Sequence, residues 1–148
     1  MSTYNISLKR IDDAFLFEGS NERGSTLRID NAAAEDDMEG GPQPMQVVLM
    51  ALAGCSGIDV VSILNKSRQE IETFEIEVTA ERIQEDGYAS FGEIIVHYVL
   101  TGGTDSARLR RAISLSQSKY CSVAMLLKKG TTIRSTATLN GEDLGEIS

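Results

Sequence analysis

Apolar positions change their period several times along the chain, and each change marks an element. Between residues 4 and 30 they come in short runs, Ile6 to Leu8, Phe15 to Phe17 and Leu27 to Ile29, broken by Asp12-Asp13, Gly19 and Gly24. Short runs bounded by turn residues predict a strand meander. The stretch 31–44 is acidic and ends Gly40-Gly41-Pro42-Gln43-Pro44. Pro44 suits the first turn of a helix, where its missing N–H costs nothing. From Met45 to Lys66 the residues are apolar almost all round, interrupted only by Gln46, Ser56, Asp59, Ser62, Asn65 and a few small residues. This predicts a central helix buried on most sides. Its length would also suit a membrane span, but the interrupting polar residues and the lack of a basic flank argue for a core helix. Ala51, Gly54 and Gly57, three apart, leave a groove that simple helix packing would use.

After Arg68 the period becomes two. Phe74, Ile76, Val78 and Ala80 alternate with Glu75, Glu77, Thr79 and Glu81, and a second run from Phe91 to Leu100 follows a turn at Asp86-Gly87. The two predict an antiparallel pair. Gly102-Gly103 breaks the chain, and Ser106 to Gln117 has helical spacing, with Leu109, Ala112, Ile113 and Leu115 inward and Arg108, Arg110 and Arg111 outward. A short helix from Cys121 to Lys129 is expected to close on Lys128-Lys129-Gly130, with Gly130 as a left-handed cap. Thr131 to Leu139 reads as a last strand and the residues from Asn140 as a polar tail. The order βββ, α, ββ, α, α, β is that of an α+β fold in a single domain, 1–148.

Composition narrows the function classes. The 148 residues carry a net charge of −8 and a pI of about 4.6, with acids gathered in Glu35, Asp36, Asp37 and Glu39 and again from Glu70 to Asp86. That field repels phosphates and argues against a nucleic-acid partner. Met1 to Asn5 lacks a basic region followed by an apolar one, so a cytoplasmic protein not associated with a membrane is expected. The single histidine, His97, sits on an alternating strand and reads as a satisfied strand residue; without clustered ligands no metal or other cofactor is expected. Ser56, in Gly54-Cys55-Ser56-Gly57-Ile58, lacks the GxSxG context of a hydrolase nucleophile. Met45, Met50 and Met125 read as core filler.

Two cysteines remain, Cys55 and Cys121, far apart in sequence and each in a helix-like apolar segment. A chain of this length buries enough surface to need no disulfide. A buried thiol commonly packs as a small hydrophobe. Two in helices also suit a redox couple assembled by the fold, provided one becomes a thiolate. By local physics Cys121 is the better thiolate, in the first turn of a helix and two residues from Lys119, whereas Cys55 is mid-helix with Asp59 one turn on. Cys55 would need an arginine from elsewhere, with Arg10 first and Arg23 and Arg28 behind it.

The run Gly41-Pro42-Gln43-Pro44-Met45 through Ala53-Gly54-Cys55-Ser56-Gly57-Ile58-Asp59-Val60-Val61, together with Leu115-Ser116-Gln117-Ser118-Lys119-Tyr120-Cys121-Ser122-Val123, resembles the OsmC/Ohr family of osmotically inducible and organic hydroperoxide resistance proteins. It looks closest to an uncharacterised OsmC-like branch. The resemblance implies antiparallel sheets wrapped around a buried central helix in an intertwined homodimer. It also implies a stress-response peroxidase that reduces organic hydroperoxides, with Cys55 peroxidatic, Cys121 resolving, and a dithiol or small thiol as reductant. The family roles reverse the local expectation for the two thiols. In the hydroperoxide reductases a glutamate follows the proline that opens the central helix and holds an activating arginine at the end of the first strand. Here those places hold Met45 and, approximately, Arg10. The alternative is therefore a protein of the same fold that binds an apolar small molecule at the dimer interface without catalysis.

Overall fold

A computed structural model describes residues 2–31 and 40–148, so the acidic run from Glu35 to Glu39 lies outside the described residues. The chain forms two compact units, Met1–Leu49 and Met50–Ser148. In the first, β1 (Ser7–Arg10), β2 (Phe17–Ser20) and β3 (Thr26–Ile29) form an antiparallel meander, as the short apolar runs predict. Asp12 Oδ1 accepts the backbone N–H groups of Ala14 and Leu16 and shapes the first turn. Asn21 Oδ1 does the same for Arg23 and Ser25 in the second.

Helix α1 (Pro44–Lys66) starts on its proline. Gln46, at the third helical position, reaches back with its side-chain oxygen to the Gln43 N–H at 2.9 Å, which satisfies one of the donors a helix start leaves open.

The second unit is built on a four-stranded sheet in the order β4 (Thr73–Gln84), β5 (Ala89–Thr101), β6 (Ile133–Leu139), β7 (Glu142–Ile147). β4 and β5 pair antiparallel across the expected turn, where Gly87 has φ 83°. Helical segments fill the connection from β5 to β6, and β6 returns parallel to β5. Ile94, Val96, Tyr98 and Leu100 of β5 and Ala137 of β6 supply the buried face of the sheet.

Three expectations need correction. The polar tail is β7, an edge strand antiparallel to β6. Asn140 and Gly141, at φ 50° and 82°, turn the chain in the manner of a tight hairpin. A register shift opposite Ala137–Thr138 breaks the alternation by which a strand would be recognised. Second, α3 spans only Ser122–Leu127, and Gly130 does not adopt the left-handed conformation; Lys128 caps the helix with its N–H on Ala124 O and Leu126 O.

The third concerns α1. Only Leu52, Ser56, Val60 and Leu64 are buried, one residue per turn, while Ile58 is 73% and Met50 55% exposed. A single chain therefore does not bury this helix on most sides, and Met50 is not core filler. Its length and hydropathy would allow a membrane crossing. Its buried stripe instead packs on its own sheet, as the Ser56 to Tyr98 hydrogen bond below shows.

Candidate functional site

The segment between α2 (Ser106–Leu115) and α3 decides where Cys121 sits. Asp105 caps α2 by accepting the Arg108 N–H at 3.3 Å, and Leu109, Ala112 and Ile113 anchor it in the core. After Leu115 the helix widens into a π-helical turn, Ser116–Tyr120, closed by the Cys121 N–H on Ser116 O at 2.8 Å. Such turns occur often at functional sites. Here it turns Ser116 and Gln117 inward, both buried, and delivers Cys121 in an extended conformation as the N-cap of α3. The Cys121 sulfur accepts the Ala124 N–H at 3.4 Å.

Cys121 is wholly buried and Cys55 partly so. The fold brings the two thiols near enough for Cys55 to act on the ionisation of Cys121. Burial pushes the Cys121 thiol up to about 11, the Ala124 N–H opposes this, and the Cys55 hydrogen bond and the charges of Cys55 and Asp59 raise it further. Burial therefore works against the thiolate that the helix start favours at Cys121. One N–H from a six-residue helix does not offset complete desolvation. Nor does Lys119 help: its ammonium lies 5.3 Å from the centre of the Tyr120 ring.

This shift gives a stability prediction. The folded value lies above the ordinary one of 9.0, so the native state holds this proton more tightly than the unfolded chain. The corresponding stabilisation is complete below pH 9 and is lost as pH rises from about 9 through 11. Thermal unfolding followed from pH 8 to 11 should show a steeper decline in wild type than in Cys121→Ala; parallel declines would contradict it.

A hydrogen-bonded chain of side chains borders the two thiols. Asp59 Oδ2 accepts the Ser116 hydroxyl at 2.9 Å. Ser116 Oγ is 2.8 Å from Ser56 Oγ, and Ser56 Oγ is 2.5 Å from the Tyr98 hydroxyl. Because the Ser116 hydroxyl donates to Asp59, the protons are ordered from Tyr98 to Ser56 to Ser116 to Asp59. Gln117 Nε2 donates to Tyr98 at 2.7 Å and to Ser56 at 3.3 Å, while its buried Oε1 has no partner among the described residues. Desolvation raises the Tyr98 hydroxyl above its ordinary value. Ser56 and Asp59 thus belong to the network that joins α1 to β5 and the π-helical turn. Sequence reasoning noted both residues singly and missed Tyr98, Ser116 and Gln117, because a buried polar network has no sequence period.

On another face of the same helix, α1 and β4 frame an apolar groove of about 850 Å³ lined in part by Ala53, Gly54, Ile58, Val61, Phe74 and Ile76 and by neither cysteine. A Cβ on Gly57 would lie 3.0 Å from Ile76 Cδ1, so Gly57 serves close packing of helix on strand. One on Gly54 would meet nothing within 4 Å, so simple packing does not explain Gly54.

His97 is, as expected, a satisfied strand residue: its ring nitrogens lie 2.6 Å from Thr136 Oγ1 and 3.1 Å from Thr138 Oγ1. Among the candidate arginines, Arg10 donates to the Ala14 and Asp13 carbonyls of its own turn, and Arg28 pairs with Glu18 at 3.4 Å.

Comparison with known proteins gives a consistent result. Residues 35–136 match the family model described as OsmC-like protein. The chain is 39% identical over 122 residues to Protein YhfA of Escherichia coli K12, an alignment covering 82% of this chain and 87% of that protein. A hypothetical protein from Aquifex aeolicus VF5 superposes with a TM-score of 0.81 at 28% identity, covering 95% of this chain and 98% of that one. The organic hydroperoxide resistance protein OhrB of Bacillus subtilis shares the fold, with a TM-score of 0.62 at 16% identity over 93% of this chain and 98% of that one.

Proposed function

Since this chain belongs to the OsmC-like protein family, we propose that it is a cytoplasmic thiol peroxidase that reduces organic hydroperoxides during oxidative stress. Cys55 attacks the peroxide, and Cys121 then resolves the oxidised thiol. The observation that carries this reading is the proximity of Cys55 and Cys121, delivered from two separate elements to one neighbourhood. Cys121 is fully buried and protonated, which leaves Cys55 as the thiol a substrate can reach. Attack by the Cys55 thiolate on ROOH releases ROH and leaves a sulfenic acid, and condensation with Cys121 yields a disulfide and water. A dithiol or small-thiol reductant restores the pair. The test is hydroperoxide consumption by the reduced protein with a dithiol reductant. Activity in wild type and its loss in Cys55→Ser support the proposal; no consumption by wild type overturns it.

A second reading, a non-catalytic protein holding an apolar small molecule, is favoured by the groove itself and by Met45, partly buried where the reductases carry a glutamate. Its signature is binding of an apolar fluorophore that survives Cys55→Ser in a protein that consumes no peroxide.

We also propose that the working form is a homodimer. The exposed Met50 and Ile58, on a helix whose buried stripe is one residue per turn, leave apolar surface that a second copy would cover. Sedimentation is expected to give twice the mass of one chain; a folded monomer at micromolar concentration contradicts this.

A further inference from the structure

We propose that a charged recess on the Cys55 face of α1 binds the reductant, and that this reductant is a small zwitterionic thiol, a dipeptide with an N-terminal cysteine. This rests on the two-cysteine reading above and names the class of thiol that restores the pair.

The recess, of about 420 Å³, is lined by Asp59, Ser62, Ile63 and Lys66 of α1 and, across from them, by Leu115 and Tyr120. Helix register fixes its place. Cys55, Asp59, Ser62 and Lys66 stand four, three and four residues apart in one continuous helix, the spacing of a single face. Cys55 does not line the recess, but it stands one turn from the Asp59 end, with the two Cβ atoms about 5–6 Å apart. On the opposite wall Tyr120 is followed directly by Cys121. The recess therefore opens beside the chain neighbours of both thiols. Ser62 and Lys66 also border the apolar groove, whereas Met50 and Ile58, assigned above to a second copy, lie on the groove side of the helix.

Two opposite charges share the recess without pairing. Among the described residues, neither Asp59 nor Lys66 belongs to any of the ion pairs. Asp59 is half-buried and fixed, because the Ser116 hydroxyl donates to its Oδ2 at 2.9 Å, while Lys66 is exposed. Seven residues separate them, roughly 10 Å of helix, and a lysine side chain leaning toward the helix start shortens that span. A ligand with an ammonium for Asp59 and a carboxylate for Lys66 satisfies both, at about 3 Å per ion pair. An extended dipeptide, roughly 7 Å long, reaches from one to the other, and Ser62 between them offers a hydroxyl to its peptide group. An uncharged thiol would leave both charges unused. In an N-terminal cysteine the sulfur lies three bonds from the ammonium nitrogen, roughly 3 Å away, so an ammonium on Asp59 brings that thiol within reach of Cys55.

The exchange balances with two such thiols. The thiolate of the first attacks the Cys55 sulfur, its S–S bond to Cys121 breaks, and Cys121 leaves and takes up the proton. The second attacks the ligand sulfur of the mixed disulfide, releasing Cys55 as a thiol and the ligand as its own disulfide. Two thiols are oxidised and the protein disulfide is reduced.

The first measurement involves no redox chemistry. Reduced full-length protein is titrated with serylglycine, in which a hydroxyl replaces the thiol, and backbone amide shifts are followed by NMR. Saturable shifts at Asp59, Ser62, Lys66 and Tyr120 are expected, with affinity about fivefold weaker in Asp59→Asn and in Lys66→Met. No saturable shift in wild type, or equal affinity in the three proteins, overturns the proposal.

For the second, the protein is oxidised with diamide, and reduction of its disulfide is timed with cysteinylglycine, its N-acetyl derivative and its C-terminal amide. Each variant is compared with wild type for the same thiol, which cancels differences in thiol basicity. Lys66→Met is expected to slow cysteinylglycine and the N-acetyl derivative about fivefold and to leave the amide unchanged. Asp59→Asn should slow cysteinylglycine and the amide and leave the N-acetyl derivative unchanged. Equal effects on all three thiols, or none, overturn the reductant role, since a merely structural change would not follow the charges of the ligand. Absence of a Cys55 to Cys121 disulfide after diamide removes the two-cysteine reading and the reductant role with it, while the serylglycine titration separately decides whether the recess takes a zwitterion.

Discussion

Cys55→Ser is expected to reduce hydroperoxide consumption by at least about a thousandfold, to the rate of the reductant alone. A serine hydroxyl is a far weaker nucleophile toward peroxide oxygen and forms no counterpart of the sulfenic acid, so neither half of the cycle survives. Cys121 is not expected to substitute, because it is fully buried and its thiol is pushed up to about 11. Cys121→Ser should behave differently: one equivalent of hydroperoxide is consumed at the wild-type rate, no disulfide forms, and further oxidation drives Cys55 to the sulfinic acid. Mass spectrometry of intact protein after one and ten equivalents separates these outcomes. Equal activity in wild type and Cys55→Ser would assign the chemistry elsewhere and favour the binding-protein reading.

Gly102→Ala is expected to destabilise the fold by about 3 kcal/mol or more. Gly102 has φ +134°, a conformation that residues with a Cβ rarely adopt, and a methyl group there would lie 2.6 Å from both Glu70 O and Glu72 N. Neither backbone atom can move freely, because the Glu72 N–H is bonded to Thr101 O at 2.8 Å and the Thr104 hydroxyl holds Glu70 O at 2.7 Å. Asn140 clasps the same glycine from the other side, accepting its N–H at 2.9 Å and donating to its carbonyl at 3.0 Å. The turn ties the end of β5 to the chain leaving α1 and to the β6–β7 hairpin, so its loss should also disturb α2 and the approach to Cys121. A fall in melting temperature of about 6–12 °C is expected for a chain of this size. Gly130→Ala is the control: a Cβ there meets nothing within 4 Å and the backbone is not left-handed, so its effect should stay within about 0.5 kcal/mol. Equal stability of the two variants would show that the β5–α2 turn adjusts at little cost.

The placement of Cys121 and the packing of the core depend on the same small region. The π-helical turn holds Ser116 and Gln117 in the core and places Cys121 directly after them. One insertion therefore determines both the polar network and the position of the second thiol. The unpaired Gln117 Oε1 sits in that network, at a cost in stability of about 1–3 kcal/mol for an unsatisfied buried acceptor.

Local pattern in the sequence determined the elements whose periods are regular. The meander, the helix opened by Pro44 and the β4–β5 pair could all be read from the alternation or clustering of apolar residues, because side-chain direction in strands and helices follows directly from spacing. The motifs around Cys55 and Cys121 likewise carried the family. Strand β7 was not legible, since a register shift disrupts its alternation, although Asn140-Gly141 marked the turn before it. Tertiary structure alone decided the chemistry of the two thiols. Proximity to a helix start suggested that Cys121 would be the thiolate, but its ionisation depends on solvent exclusion by residues distant in sequence, and burial outweighed one short helix. The ordering of Tyr98, Ser56, Ser116 and Asp59 into one hydrogen-bonded chain was equally beyond the sequence, because those residues meet only when α1, β5 and the π-helical turn pack together, and no local rule encodes that distance.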